Sequence, residues 1–259
     1  MSIPINENLI MATAIIDRSG SMHSMGGSSE ISGAVNKFFE DQYVHEKNGK
    51  RVISSLTTYD NIISHVYEPT EQHITVNPED VEPRSMTAMN EAIGTTIQKI
   101  GEYLSLKTDE MPGLIIVFIL TDGEENASSG IWSGRNGTMK IKEMITHQRD
   151  VYKWQFMFAG ANIDSISVGD DLGIESSMCI DFHTSSGGCA TAIRSCSNAT
   201  SRLVNTNSGA RVHFAGFTQA ERDESACIEA DDDADADADD DNLDNFDDGS
   251  SYYAKAQRC

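Results

Sequence analysis

Five oxygen-bearing side chains occur at three points where an apolar segment stops or a helix is expected to begin. The apolar residues 9–16 and 114–120 are each followed closely by an aspartate, and the loop at residues 83–88 offers a hydroxyl before the next helical pattern. Together these positions supply two carboxylates and three hydroxyls: Asp17, Ser19, Ser21, Thr87 and Asp122. Hard oxygen donors without His or Cys favour Mg²⁺ or Mn²⁺ over Zn²⁺ and copper. The residue types therefore predict a magnesium site, with Mn²⁺ or Ca²⁺ as alternatives.

The charge and the number of these side chains predict an incompletely coordinated ion. Two carboxylates cancel the +2 charge of the cation, and at most five protein ligands leave a coordination position open to an outside group. The alternative is that each motif is local. Asp17, Ser19 and Ser21 would then form an Asx-type turn or a helix cap, and Asp122-Gly123 an ordinary turn. The joint occurrence of the three motifs favours the metal site.

The apolar segments predict the strands that must position these side chains. Residues 9–16 and 114–120 are typical of strands buried on both faces of a parallel sheet. Further strands are predicted at residues 51–60, 62–68, 154–159 and 179–182, the first two as an edge hairpin. Helical periodicity between strands, with a last helix over residues 188–204, implies strand–helix–strand crossovers. We predict an α/β fold, a doubly wound, mostly parallel six-stranded sheet with helices on both faces and one antiparallel edge strand. Such sheets bind ligands outside the carboxyl ends of their strands, where the predicted metal ligands lie.

These motifs resemble those of von Willebrand factor A (vWA) domains. The metal-ion-dependent adhesion site (MIDAS) of that family consists of Asp-x-Ser-x-Ser, a distant Thr and a strand that ends in Thr-Asp-Gly. Residues 15–22, 88–94, 120–128 and 158–162 are similar in particular to the stand-alone vWA proteins of bacteria and their phages. The resemblance extends from about residue 8 to residue 205 and implies a vWA/Rossmann-like domain, which we place at residues 1–228.

The resemblance also implies a role for each residue of the site. It makes the three hydroxyls metal ligands and lets the two aspartates bind directly or through water. In that family a Glu or Asp of a partner protein typically fills the open position. This chain departs from the pattern at Met86, because a small Gly or Ser usually precedes the threonine. Glu124 and Glu125 are not included in the site, and we interpret them as a solvated loop.

The composition excludes several classes of partner. The chain has 259 residues, with 41 Asp and Glu against 19 Lys and Arg, and a formal net charge of −22, which repels nucleic acids and anionic membranes. Residues 229–259 hold 12 acidic and two basic side chains and are predicted to form a disordered acidic tail. Five cysteines without a CxxC pair, an N-terminus unlike a signal peptide and the lack of a long apolar run predict a cytoplasmic protein, in the host cytoplasm if phage-encoded.

Three functions are compatible with these features. The favoured hypothesis is an intracellular, metal-dependent protein-binding module, not an enzyme, that docks a partner's carboxylate on the MIDAS cation. The second is a Mg²⁺-dependent phosphohydrolase, which would need basic side chains to hold a phosphate, and only Arg18 and Arg84 lie near the site in sequence. The third is a structural or assembly component with a vestigial metal site. The residues name neither the partner nor the oligomeric state.

Overall fold

One mixed sheet of six strands organises the computed structural model, which describes residues 3–206 and 216–227 of the chain. The strands in chain order are β1 (Ile5–Asp17), β2 (Arg51–Tyr59), β3 (Ile63–Thr70), β4 (Met111–Thr121), β5 (Gln155–Gly160) and β6 (Cys179–Asp181). Their order across the sheet is β3-β2-β1-β4-β5-β6. Neighbouring strands are parallel except β2 and β3, which form the antiparallel edge hairpin. The predicted doubly wound α/β fold is confirmed.

Six α-helices accompany these strands within the described residues: α1 (Ser28–Tyr43), α2 (Met89–Ser105), α3 (Gly134–Tyr152), α4 (Ser165–Leu172), α5 (Ser186–Asn205) and α6 (Gln219–Ala226). They cover both faces of the sheet. Helix α1 packs against α5 in one layer, and α3 packs against both α2 and α4 in the other. The helix predicted over residues 188–204 corresponds to α5. The sequence analysis misses α4 and α6, because eight residues are too few to display a clear helical period.

The two central strands, β1 and β4, carry much of the core. Every residue of β1 from Leu9 to Asp17 and of β4 from Leu114 to Thr121 is buried. Because helices cover both faces of these strands, neither face needs polar side chains, which explains the continuous apolar sequences. The ring of Phe118 in β4 is fully buried and lies 5.4 Å from the ring of Phe38 in α1.

The direction in which strands are added to the sheet reverses between β1 and β4. The chain passes from β1 through α1 to β2 on one side, and it later crosses through α2 to form β4 on the other side. In doubly wound sheets this reversal opens a crevice outside the carboxyl ends of the two strands, where ligands bind. Strand β1 ends at Asp17, and Asp122 follows β4 directly. The topology therefore places both predicted metal-binding carboxylates at the crevice.

Parts of the predicted domain organisation lie beyond this description. The acidic tail predicted for residues 229–259 falls outside the described residues, and both the tail and the 1–228 domain boundary stay predictions. Within the described ranges, no helix combines the length and the apolar character needed to cross a membrane.

Truncation of Phe118 tests how strongly the contact between β4 and α1 stabilises the domain. We expect Phe118→Ala to lower the free energy of unfolding by about 3–5 kcal/mol, because the cavity left between strand and helix cannot close completely. Urea denaturation followed by circular dichroism measures the change. Leu106→Ala, at an exposed leucine after α2, is the control and should change stability by no more than about 0.5 kcal/mol. Equal effects of the two substitutions would contradict this assignment of the core.

Candidate metal centre

Hydrogen bonds join the ends of β1 and β4 at the crevice. Ser21 Oγ donates to Oδ1 of Asp122 at 2.6 Å, and Ser19 Oγ lies 3.2 Å from Ser21 Oγ. Asp17 accepts two hydrogen bonds, from Thr121 Oγ1 at 2.6 Å and from the backbone N–H of Ser19 at 2.7 Å. The second of these is the contact of an Asx-type turn, so the local turn is present as a part of the larger cluster.

Thr87 joins this cluster from a third chain segment. Gly123, which follows Asp122, shows the convergence, because a β-carbon placed on it would lie 3.7 Å from Ser21 Oγ and 3.9 Å from Thr87 Oγ1. The hydroxyls of Ser21, in the loop after β1, and of Thr87, in the loop before α2, therefore face the same small volume beside the loop that follows β4. Oxygen atoms from three separate segments meet at this edge of the sheet, as the predicted site requires.

The loop after β4 fixes the backbone around Thr87. Oδ1 of Asn126 accepts a hydrogen bond from Thr87 N at 2.9 Å, and Asn126 N donates to Thr87 O at 3.0 Å. Met86, the departure from the vWA pattern, has a side chain that is 54% exposed. The larger residue before Thr87 is thus accommodated at the surface, and Asn126 holds the threonine in place.

Glu125 holds the same loop against the start of α2. Its carboxylate accepts hydrogen bonds from Asn90 N at 2.7 Å, from Ala127 N at 3.1 Å, and from Ser128 N and Oγ, both at 2.7 Å. A carboxylate is also favoured at a helix N-terminus by the helix dipole. The sequence analysis interprets Glu124 and Glu125 as a solvated loop. This interpretation fits Glu124, which is exposed, and is wrong for Glu125.

Burial makes the ionised forms of both aspartates costly in the protein alone. Desolvation raises the pKa of Asp17 to about 6, although hydrogen bonds from Thr121 and Ser19 oppose the rise, and the charge of Asp122 adds to it. Burial likewise raises the pKa of Asp122. Oδ2 of Asp122 is buried without a hydrogen-bond partner among the described residues. A bound cation would give this oxygen a partner and would favour the ionised form of both carboxylates, so the residues present fit a divalent ion.

The donor types restrict which ions fit. In the described part of the chain, no three His, Cys, Asp or Glu side chains come together as a metal-binding group. A cation at this edge would depend on two carboxylates together with the hydroxyls of Ser19, Ser21 and Thr87. These oxygen donors suit Mg²⁺ or Mn²⁺ and include none of the nitrogen or sulfur ligands that Zn²⁺ and copper prefer.

The two arginines near the site contact a different carboxylate, that of Asp60. This residue directly follows β2 and is fully buried. Arg84 Nε donates to Asp60 Oδ2 at 2.5 Å, and Arg18 Nε lies 3.5 Å from the same oxygen. Arg18 Nη2 also donates to Ser64 Oγ at 3.1 Å. Both guanidinium groups are therefore already paired with groups of the protein.

The sequence analysis assigned no supporting role to four residues that hold the predicted ligands or their loops in place, namely Asp60, Thr121, Glu125 and Asn126. A usable signal existed for Asp60 and Thr121, because both lie at the carboxyl end of a predicted strand, at the edge where ligands bind. Glu125 and Asn126 act through loop conformation, and the residue types alone do not reveal their partners.

Comparison with known proteins identifies the fold. No family model and no curated protein matches the sequence. Among solved structures, the vWF domain of the type V pili tip protein Mfa5 from Porphyromonas gingivalis has a TM-score of 0.53 at 8% identity, covering 80% of this chain and 98% of that domain. The conserved hypothetical protein BatB from Bacteroides thetaiotaomicron has a TM-score of 0.50 at 12% identity, over 76% of this chain and 100% of that one. The chain has a vWA-type fold.

A longer protein also contains a region similar to this chain. A von Willebrand factor type A protein from Catenulispora acidiphila has a TM-score of 0.47 at 12% identity, over 79% of this chain. The chain spans 44% of the length of that protein.

Replacement of Asp122 tests the metal centre. We expect the wild-type protein to bind Mg²⁺ and Mn²⁺ and Asp122→Asn to lose measurable binding, because the amide keeps the shape of the side chain but removes a charge that the cation needs. Isothermal titration calorimetry with both ions measures the binding. Glu124→Gln is the matched control, since it removes the same charge from an exposed neighbouring position and should bind nearly as well as the wild type. Binding retained by Asp122→Asn, or absent from the wild type, would contradict the site.

Proposed function

We propose that the chain is a metal-dependent protein-binding module that works inside the cell and docks a partner's carboxylate on a divalent cation. The cation would be Mg²⁺, with Mn²⁺ or Ca²⁺ as alternatives, held by Asp17, Ser19, Ser21, Thr87 and Asp122. One observation carries the proposal: the two carboxylates and three hydroxyls converge at the reversal point of the sheet, where one buried oxygen of Asp122 has no hydrogen-bond partner among residues 3–206 and 216–227.

The exposure of the five side chains supports an open coordination position. Asp17, Ser19, Thr87 and Asp122 are buried, whereas Ser21 is exposed. The cluster therefore reaches solvent on the side of Ser21. A bound cation would supply a Lewis-acidic position there, and this chain's carboxylates would balance its charge without enclosing it. A partner could then reach the ion with a single Glu or Asp side chain.

The fold supports a role in protein interaction or adhesion. The vWF domain with the same fold belongs to a type V pili tip protein in Porphyromonas gingivalis. For this chain, the net charge of −22 further disfavours nucleic acid and anionic membrane as partners. A protein that offers a Glu or Asp to the ion is the partner that best matches the site.

The described core cysteines are compatible with a reducing compartment. Cys179, Cys189 and Cys196 are free thiols and are buried. Burial raises the pKa of Cys179 and of Cys189 to about 12 and raises that of Cys196 as well, so the thiols are protonated and unreactive at neutral pH. Thiols of this kind behave as small core side chains.

The arrangement of charge at the site favours binding over phosphoryl chemistry. A phosphohydrolase needs cationic side chains beside the metal to hold the phosphate. Arg18 and Arg84, the two candidates near in sequence, are instead paired with Asp60. No observation favours the third hypothesis, an assembly component with a vestigial site. Both the lack of catalysis and the docking of a partner's Glu or Asp on the metal stay predictions.

Affinity capture under four conditions tests the proposed function. Immobilised wild-type protein is exposed to an extract of its own source cells with Mg²⁺ or with a chelator, and Asp122→Asn and Glu124→Gln are exposed in parallel with Mg²⁺. We expect a partner that is retained by the wild type and Glu124→Gln with Mg²⁺ but is lost with chelator and with Asp122→Asn. The partner should also be lost when its docking Glu is changed to Gln.

Two results would contradict this function. One is a set of captured proteins that is the same in all four conditions. The other is Mg²⁺-dependent phosphatase activity that disappears in Asp122→Asn, which would favour the phosphohydrolase.

A further inference from the structure

Asp60 is a buried charge beside the metal centre that the proposed function leaves unexplained. It follows β2 directly, and Tyr59, the last residue of that strand, pairs with Asp17 of β1. Oδ1 of Asp60 accepts a hydrogen bond from Ile62 N at 2.6 Å, and Oδ2 accepts one from Arg84 Nε at 2.5 Å. A fully buried carboxylate with a donor on each oxygen is held in one orientation.

The contacts of Asp60 lie on both sides of Thr87. Arg84 precedes the threonine by three residues and binds the Asp60 side chain. Ala88 follows the threonine directly, and its N–H donates to the backbone oxygen of Asp60 at 2.8 Å. Thr87 therefore lies in a short stretch whose two ends are both bound to Asp60. A shift of this stretch relative to β2 would break at least one of the two contacts.

Asp60 is also joined to the loop that supplies the two serines. The guanidinium group of Arg18 is nearly fully buried, and Asp60 is the carboxylate with which it forms an ion pair. The backbone of the two loops is joined next to this pair, because Arg84 N donates to Arg18 O at 2.8 Å and Gly20 N donates to Ser85 O at 3.0 Å. One carboxylate thus connects the two loops that carry the three hydroxyls of the site.

We propose that Asp60, acting through Arg18 and Arg84, is a positioning residue of the metal centre. It holds the two hydroxyl-bearing loops at the separation that the cation requires, and its negative charge offsets one of the two positive charges of Arg18 and Arg84. The inference rests on the proposed function, because it concerns the same cation. Outer contacts of this kind typically change metal affinity by about 10- to 100-fold.

Arg84→Gln is the principal test, because the side chain of Arg84 is half-exposed and its loss leaves the buried pair of Arg18 and Asp60 intact. We expect the affinity for Mn²⁺, measured by electron paramagnetic resonance of the free ion, to fall by about 10- to 100-fold. The melting temperature of the metal-free protein should change little. Arg194→Gln is the matched control, since it removes an equally exposed arginine from an ion pair with Glu224 on α6 and should leave Mn²⁺ affinity unchanged.

Three further variants distinguish positioning from a general loss of stability. If Arg84 acts through Asp60, the double variant Asp60→Asn/Arg84→Gln should bind Mn²⁺ no more weakly than Asp60→Asn alone. Arg84→Lys, which keeps the charge near Asp60, should recover a part of the affinity that Arg84→Gln loses. Should Asp60→Asn fail to fold, the comparison of the two Arg84 variants with Arg194→Gln decides the question.

The outcomes separate this inference from the proposed function. Mn²⁺ affinity in Arg84→Gln equal to that of the wild type, or losses in the double variant that are the sum of the single losses, would overturn the role of Asp60 and leave the metal site standing. Absence of Mn²⁺ binding by the wild-type protein would overturn both.

Discussion

The adjacency of β1 and β4 is the constraint on which the candidate metal centre depends. The two strands run parallel, with Ile16 opposite Leu120, so the residues that follow them emerge at the same edge. This brings Asp17 and Asp122 together in a buried setting, where each loses hydration and each repels the other. Thr121 and the backbone of Ser19 compensate Asp17, whereas one oxygen of Asp122 has no donor in the described structure. The charge imbalance follows from the topology, and a bound cation would relieve it.

Two further carboxylates, those of Glu125 and Asp60, stabilise the surroundings of the site in different ways. Glu125 binds the N–H groups at the start of α2 and thereby fixes the loop that follows β4. Asp60 pairs with both Arg18 and Arg84 and so offsets one of the two positive charges near the proposed ion. Had these arginines faced the cluster, they would have competed with a cation for the same carboxylates. The pairing with Asp60 therefore makes the arginines compatible with a metal site.

The sequence could predict those parts of the architecture that leave a pattern in consecutive residues. Buried central strands leave continuous apolar segments, so β1, β4 and the aspartates that end them are visible at residues 9–16 and 114–120. Asp60 and Glu125 bind partners 24 and 35 residues away in the chain, and only folding brings those groups together. Asp60 did lie at the end of a predicted strand. Its hairpin was predicted at the sheet edge, but β2 itself is interior and adjoins β1, which puts its carboxyl end beside the site.

The overall charge of the chain bears on how a carboxylate could reach the proposed cation. With a net charge of −22, the protein repels acidic groups on approach, and screening limits that repulsion to about 8 Å at physiological ionic strength. Attraction would begin only at contact distance, where a partner side chain meets the ion on the exposed side at Ser21. Long-range steering would therefore contribute little, and coordination geometry would decide which partner binds. An acidic surface without a side chain long enough to reach the ion would meet only the repulsion. A negatively charged module can in this way be selective for particular carboxylates. Its net charge repels most acidic surfaces, and only a side chain that coordinates the ion directly overcomes this repulsion.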